Sequence, residues 1–296
     1  MSFGYQVLGF GSGGVSAAYI VASGGDSCGT TGDYKWHKFT GSGTLTVSCV
    51  GDPAGSDTVD YMVVAGAGGS GKYYGGAGGA GGYRESSGAA SGCYTVSPLA
   101  ACVSALPVSC SPGSYPITVG GGGAEAPSIN PGLGSTGGPS VFSTITSAGG
   151  GYGTGTHPTA GRAPAGSGGS GGGGSSGDPA GCTGSRAGGA GNTPPTNPPQ
   201  GNAGFTVTNP AIAGSSGGAL GAGVNRCGGA ATTSSIDATP TARAGGGAGG
   251  PCAAGSPGGG GGGAYSIDGT ANTGGGAGAD GANGGSGIVI IRYKYQ

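Results

Sequence analysis

The sequence predicts a mostly irregular, all-β protein, in which a small β-sheet brackets a glycine-rich bundle of polyproline-II helices and there is almost no α-helix. Three observations lead to this fold class. Glycine supplies 83 of the 296 residues, about four times its ordinary share. The glycines are concentrated in tracts between residues 65 and 287. Strand-like apolar runs flank that region, as VDYMVV before it and IVIIRY after it.

The chain has few of the side chains that build an ordinary hydrophobic core. Alanine is the largest part of its 34% hydrophobic content, and Leu, Ile, Val and Phe together make up about an eighth of the chain. That share lies below the roughly 20% at which a core becomes doubtful. However, a net charge of −1 with 7% charged residues does not keep a chain open by repulsion. We therefore expect an ordered chain held together by its backbone; the alternative is that the tracts are flexible linkers.

Residues 1–33 are predicted to form an attachment segment, and residues 34–296 the glycine-rich domain. The first residues carry an alternating apolar motif that could add a strand to a partner protein. Its members are Phe3, Tyr5, Val7, Leu8 and Phe10. The alternative is that the motif packs on the domain's own sheet. The N-terminus lacks the charged and continuous apolar regions of a secretory signal peptide.

Strands are predicted within residues 36–64 and at residues 288–295. The first region reads WHKFTGSGTLTVSCV, then a turn at residues 52–55, then TVDYMVV. Polar and apolar residues alternate from Thr44 to Val47, which is the period of a half-buried strand. If VDYMVV pairs with IVIIRY, the two ends of the domain lie close together.

The glycine tracts at 65–287 are predicted to form the bundle. A polyproline-II helix has three residues per turn and no internal hydrogen bonds, so each backbone N–H and C=O group in a compact body must find a partner on a neighbour. Only glycine allows such a close approach, and weak Cα–H···O contacts add to the packing. The register breaks at each insert, which excludes a collagen repeat. The inserts become turns at the ends of the bundle.

The eight cysteines favour disulfides over a zinc site. An even count fits an oxidising environment, and no C-x-x-C pair of the kind that zinc requires is present. Cys28 with Cys49 is the first pair we predict, because both flank the strand-like region near Trp36. The full set is Cys28, Cys49, Cys93, Cys102, Cys110, Cys182, Cys227 and Cys252.

No motif points to catalysis, a cofactor or a metal. The segment GAGGSGK resembles a phosphate-binding loop, but Tyr73 stands where that motif needs Ser or Thr. His37 and His157 are far apart in sequence, and Asp268 and Asp280 lack the spacing of a calcium loop. We therefore expect no enzyme activity. Scattered charges give no nucleic-acid footprint, and there is no apolar run long enough for a membrane span.

Several segments resemble the glycine-rich domain of bacteriophage tail-fibre and adhesin proteins. They are HKFTGSGTLTVS followed by VDYMVVAGAGGSGKYYGGAGGAGGY, then YPITVGGGG, VFSTITSAGGGYG and TANTGGGAGADGANGGSGIVIIRY. The resemblance covers about residues 36–293. The first and last segments are fairly specific, and the glycine tracts alone are not. The cysteines and the proline-rich insert NTPPTNPPQGN depart from it.

The resemblance implies a virion structural protein, as a tail fibre, an adhesin or a projecting decoration element, whose insert loops contact a glycan or protein on the host surface. The N-terminal segment would then bind other virion proteins, and the chain could form a homo-oligomer. Tyrosines edge the tracts; Tyr94 and Tyr115 are candidates for receptor contact, with a structural role at the edge of the bundle as the alternative, and we predict structural roles for the others. The alternative is an exported microbial matrix or filament protein without a receptor, whose N-terminal segment binds a copy of itself.

Overall fold

The structure is a computed structural model that describes residues 18–92, 94–100, 104–129, 132–155, 163–175, 186–208, 213–250 and 256–296. Within these residues the fold is all-β and irregular, and the one helical segment is a short 3-10 turn at Pro98–Ala100. The predicted fold class is thus confirmed. No helix in the described part of the chain is long and apolar enough to cross a membrane.

The predicted pairing of the two apolar runs forms the centre of a six-stranded sheet. Strand β5 pairs antiparallel with β13, and Val63 lies opposite Val289. The order is β2-β3-β13-β5-β6, with β7 also paired to β5. The bounds are β2 Ser27–Thr31, β3 Tyr34–Phe39, β5 Thr58–Val64, β6 Tyr83–Glu85, β7 Leu106–Pro107 and β13 Ile288–Lys294.

A second, five-stranded sheet faces the first and has the order β1-β4-β8-β9-β10. Its strands are β1 Val21–Ser23, β4 Gly43–Cys49, β8 Ser114–Thr118, β9 Ser140–Phe142 and β10 Ile145–Ser147. The two sheets enclose the main hydrophobic core, to which Leu45 and Phe142 contribute from one side and Tyr61 and Ile291 from the other. The small core that the composition allows is therefore concentrated between the sheets.

The outer face of the six-stranded sheet is covered by a hairpin and an insert. The hairpin consists of β11 Thr232–Ser234 and β12 Thr241–Arg243. A second hydrophobic cluster forms beneath it and includes Met62, Ile236 and Ile290. Glu85 lies within this region, and its carboxylate accepts hydrogen bonds from Tyr83 at 2.7 Å and from Ser234 at 2.5 Å.

The glycine tracts run out from the sheets side by side, and the tract at 65–72, which directly follows β5, is the central one. Its N–H groups point to three neighbours in turn, so every third residue reaches the same neighbour. Ala65 donates to Gly82 at 3.0 Å and Gly68 donates to Gly79 at 2.8 Å. The intervening N–H groups donate to tracts 132–138 and 282–285, and the carbonyls accept from tracts 120–126, 148–154 and 274–281.

The central tract therefore has six neighbours, each joined to it by backbone hydrogen bonds. A rotation of one turn per three residues is the geometry of polyproline II. Glycine is required where two backbones meet, because a Cβ at Gly66 would overlap the carbonyl oxygen of Gly121. The tracts at 120–126 and 148–154 run parallel to the central one, and those at 76–82, 132–138 and 282–285 run antiparallel.

The predicted disulfide between Cys28 and Cys49 is wrong. Cys28 lies in β2 of the six-stranded sheet and Cys49 ends β4 of the five-stranded sheet, so the strands that carry them belong to opposite layers. Both are exposed free thiols, as is Cys110. Cys227 is also exposed, and its sulfur lies 3.7 Å from Oγ of Ser256. The other four cysteines, Cys93, Cys102, Cys182 and Cys252, lie outside the described residues.

The start of the described chain is integrated into the sandwich. Strand β1 pairs with β4, and β2 pairs with β3. The predicted boundary at residue 33 thus falls between two paired strands. The apolar motif predicted for partner attachment lies outside the described residues, and that role stays a prediction for Phe3, Tyr5, Val7, Leu8 and Phe10.

Candidate functional site

The bundle has two unlike ends. At one end, tracts 65–72 and 282–287 join strands β5 and β13. At the other end, the chain turns at residues 73–75, 264–266 and 280–281. We call this second end the tip, and it lies at the far end of the central tract from the sheets. The tip is the candidate site, because it gathers exposed aromatic side chains on turns fixed by the bundle.

Tyr73 and Tyr74 form an aromatic pair at the centre of the tip. Their rings meet edge to face, with centroids 5.4 Å apart and planes at 75°. The two residues are 43% and 36% exposed. Both adopt left-handed backbone conformations, with φ of 61° and 55°, which cost a residue with a side chain about 1–2 kcal/mol each. Strain of this kind persists only where the surroundings enforce it, and it clusters at functional sites.

Tyr265 extends the aromatic surface from a neighbouring turn. Its hydroxyl donates a 2.7 Å hydrogen bond to Oδ2 of Asp280, and the residue remains 36% exposed. Burial of the phenol, with this hydrogen bond and the Asp280 charge, raises the pKa of Tyr265 to about 12. Tyr74 is close enough to raise the pKa of Tyr265 further. Two turns that are far apart in sequence therefore present one group of tyrosines.

An ion pair and an apolar side chain border the tyrosines. Nζ of Lys72 lies 3.0 Å from Oε1 of Glu125, and both side chains are about one-third exposed. Ile129, on the turn after tract 120–126, is 54% exposed. Lys72 is fixed through its backbone, because its N–H donates to the carbonyl of Gly132 at 3.2 Å. The rim of the tip thus holds the Lys72–Glu125 ion pair beside an apolar side chain.

The exposed tyrosines make the tip suitable as a surface that binds a ligand. Tyrosine offers a large, rigid contact area with a polar end, at a small cost in side-chain entropy. The charges of Lys72, Glu125 and Asp280 can fix the orientation of a ligand. Among the described ranges no cluster of three or more His, Cys, Asp or Glu residues could hold a metal ion.

The two tyrosines predicted to contact a receptor lie at the sheet end of the molecule. Tyr94 packs beside the second hydrophobic cluster, its ring lies 5.2 Å from the Arg292 guanidinium carbon, and burial raises the pKa of its hydroxyl. Tyr115 lies in β8 and packs on Phe142 with ring centroids 6.2 Å apart. Its hydroxyl accepts a 2.6 Å hydrogen bond from the N–H of Ser109. Both are partly buried, and receptor contact by either stays a prediction.

Sequence reasoning assigned structural roles to Tyr73, Tyr74 and Tyr265, which the structure exposes at the tip. A signal was present, because a tyrosine doublet between two glycine tracts must lie on a turn. The sequence did not say at which end of the bundle that turn lies. That depends on the direction of each tract, which long-range hydrogen bonds determine.

Comparison with known proteins gives one positive result. A family described as a glycine-rich domain matches residues 40–294. These residues include most of both sheets and the whole bundle. No curated protein matches the chain.

Proposed function

The chain belongs to this glycine-rich domain family, and from that premise we propose that it is a non-enzymatic structural protein of a phage virion that presents its tip to the host surface. The role is that of a tail-fibre, adhesin or projecting decoration element. The observation that carries the proposal is the exposed pair Tyr73 and Tyr74, held in a strained conformation at the end of the bundle away from the sheets.

The rigid backbone packing of the bundle supports a role in which the tip projects from the virion. The central tract is held by backbone hydrogen bonds to six neighbours, so its position depends little on the side chains at its end. A surface on such a support loses little freedom when it binds, and preorganised surfaces bind more tightly for that reason. The virion part of the proposal rests on the resemblance of segments 36–83 and 270–293 to phage tail-fibre and adhesin domains.

The sheet end is proposed as the attached end. Residues 1–17 precede strand β1 at that end, and their apolar motif is proposed to bind another virion protein. The tip is then directed outward, and its tyrosines contact a glycan or protein of the host envelope.

Adsorption of phage particles tests the tip. Particles carrying Y73S/Y74S are expected to adsorb to host cells at least tenfold more slowly than wild-type particles. The matched control is V21S, which removes an exposed apolar side chain at the sheet end, 56% exposed in β1, and should leave adsorption unchanged. Equal adsorption by the tyrosine variant and the wild type would overturn the role of the tip.

Cryo-electron microscopy of the particle tests the location. The proposal expects the chain on the virion with its tip pointing away from the particle axis. Filaments built of this chain alone, joined through residues 1–17, would instead identify an exported matrix protein.

A further inference from the structure

Two carboxylates meet at the tip beside the exposed tyrosines. Asp280 accepts the hydrogen bond from Tyr265 through Oδ2, and Glu125 pairs with Lys72 through Oε1. Gly281 directly follows Asp280, and a Cβ built on Gly281 would lie 3.1 Å from Oε2 of Glu125. We call Lys72, Glu125 and Asp280 together the acidic patch, because these side chains lie around one glycine although they come from three separate parts of the chain.

Each carboxylate of the acidic patch keeps one oxygen open for a ligand. Among the described residues no hydrogen bond reaches Oδ1 of Asp280 or Oε2 of Glu125. Neither oxygen is buried, and the Glu125 side chain is 36% exposed. Both oxygens can therefore accept a hydrogen bond from a molecule that approaches the tip from solvent.

Negative charge exceeds positive charge in the acidic patch. The patch holds one positive charge, on Lys72, against its two carboxylates. Asp268 adds negative charge behind Glu125, because Asn283 donates its N–H to Oδ1 of Asp268 at 2.7 Å and accepts the N–H of Glu125 at 3.0 Å. The patch therefore attracts a cationic ligand and repels a carboxylate or a phosphate.

The tyrosines add an aromatic surface to this charge. Tyr73 and Tyr74 are exposed and directly follow Lys72 along the chain. Tyr265 donates to Asp280, and Tyr74 is close enough to raise the pKa of the Tyr265 hydroxyl group, so the rings and this carboxylate share one surface. A cation is attracted to the face of an aromatic ring when it lies within about 6 Å of the ring centre. Carboxylates beside exposed rings therefore favour an organic cation as the ligand.

We propose that the tip binds a protein of the host surface by taking up a lysine side chain of that protein. This partner rests on the proposed function, because it specifies what the tip contacts. An ammonium group carries three N–H donors, which suit single open oxygens on two carboxylates, and the apolar stem of lysine packs on tyrosine rings. Arginine instead favours both oxygens of one carboxylate, and Asp280 and Glu125 each already use one oxygen.

Titration with short peptides tests the ligand without the virion. The purified full-length chain is titrated with an otherwise uncharged peptide that carries one lysine, and with the same peptide in which that lysine is Nε-acetylated. Backbone NMR signals are recorded. We expect saturable shifts at residues 72–74 and 280–281, with at least tenfold tighter binding of the lysine peptide. Equal binding of the two peptides, tighter binding of a matched arginine peptide, or no binding would overturn the assignment.

A pair of charge-neutralising variants locates the binding. D280N removes one carboxylate of the acidic patch and should weaken the lysine peptide at least fivefold. Asparagine tolerates the positive φ of 68° at this position, so the turn is expected to keep its shape. The matched control is D33N, which neutralises an exposed carboxylate in the turn between β2 and β3 at the sheet end, and its titration should match the wild type. Equal weakening in the two variants would show that binding follows the overall charge of the protein, and it would reject the proposal.

Adsorption separates a failure of the lysine contact from a failure of the tip itself. Particles with D280N should adsorb at least fivefold more slowly than the wild type, and proteinase K treatment of the host cells should abolish wild-type adsorption. Normal adsorption of D280N, together with slow adsorption of Y73S/Y74S, would reject the lysine contact and retain the role of the tip. Wild-type adsorption to protease-treated cells would exclude a protein partner. Normal adsorption of both variants would overturn the role of the tip and the lysine contact together.

Discussion

The hydroxyl of Tyr293 lies 3.0 Å from Nε2 of His37, although 256 positions separate the two residues. The rings stack with centroids 5.8 Å apart. Nδ1 of His37 lies 2.7 Å from the carbonyl oxygen of Gly24, so it carries the proton that donates to that oxygen. Nε2 is then the acceptor for the Tyr293 hydroxyl. A neutral imidazole therefore satisfies both ends of this contact between the first and last parts of the described chain.

This contact predicts that the protein loses stability in mild acid. Burial lowers the pKa of His37 below its ordinary 6.5, so below pH 6.5 the unfolded chain binds the proton more readily than the folded one. The free energy of unfolding should therefore fall as the pH drops from 6.5 through the folded pKa. Urea midpoints between pH 8 and 5 measure the effect. H37Q should have a smaller pH dependence in this window, whereas Y293F should keep it, because burial is the main cause.

Glu85 predicts an effect of the opposite sign. Burial raises the pKa of its carboxyl group above 4.5, so folding favours the protonated form. The contribution of Glu85 is fully present below pH 4.5 and is lost as the pH rises through the folded pKa. E85Q keeps the shape without the charge and should remove this loss. If the difference in urea midpoint between E85Q and wild type does not change from pH 4 to pH 8, the prediction fails.

Two glycines in the bundle form a matched pair for testing close packing. A Cβ at Gly66 would overlap a backbone oxygen, whereas a Cβ at Gly121 meets no atom within 4 Å. G66A should lower the free energy of unfolding by about 1–3 kcal/mol or more, since overpacked backbones must move apart. G121A should be neutral or stabilising by up to about 1 kcal/mol, because alanine restricts the unfolded chain. Denaturant unfolding measures both, and equal values would reject a backbone-packed bundle.

The positive φ of Tyr74 is expected to lower the free energy of unfolding. Y74G should raise the free energy of unfolding by up to about 1 kcal/mol, because glycine adopts a positive φ without the cost that tyrosine meets. Y74A also removes the ring but keeps a Cβ, so it should give no such gain. Thermal unfolding distinguishes them. The absence of any difference between Y74G and Y74A would mean that the turn is unstrained.

The free thiols predict that Cys28 and Cys49 do not stabilise the fold by a covalent link. The double variant C28S/C49S should unfold at the same denaturant concentration as the wild type under oxidising conditions. A disulfide between them would instead make the variant less stable by about 2–4 kcal/mol. Mass spectrometry after thiol alkylation provides an independent reading, and it should find both residues modified.

The parts of the fold that could be predicted are those whose pattern is local. β5 contains the apolar run YMVV and β13 the run IVII, and each run lies next to a glycine tract, which indicates buried strands; the two strands do pair. The bundle followed from the glycine tracts, because a backbone without side chains has to bond to other backbones. The paired hairpin β11–β12 was not predicted. Its strands TTS and TAR are short and polar, and it is held by distant contacts such as Ser234 with Glu85.

The candidate sites were harder to predict for the same reason. Tyr73 and Tyr265 lie on one surface only because of the directions in which their tracts run through the bundle. The sequence of a glycine tract does not show whether it runs parallel or antiparallel to its neighbours. The carboxylate of Asp237 pairs with Lys38 of β3, about 200 positions earlier in the chain, and with Arg243 of the β11–β12 hairpin. No local spacing could have indicated that Lys38 and Arg243 share one carboxylate.

The position of β13 sets the order in which the molecule can be made. This strand is synthesised after all the other strands of both sheets, yet it lies between β3 and β5 in the middle of its sheet. The central tract at 65–72 likewise cannot form all its backbone hydrogen bonds before residues 274–285 have been synthesised, because these residues provide two of its neighbours. The nascent chain therefore cannot close its sheet or the middle of its bundle until β13 has been synthesised, and the more than 200 residues between β5 and β13 must be kept from aggregating until then. A product that stops before β13 would therefore lack both the middle strand of its sheet and two neighbours of its central tract.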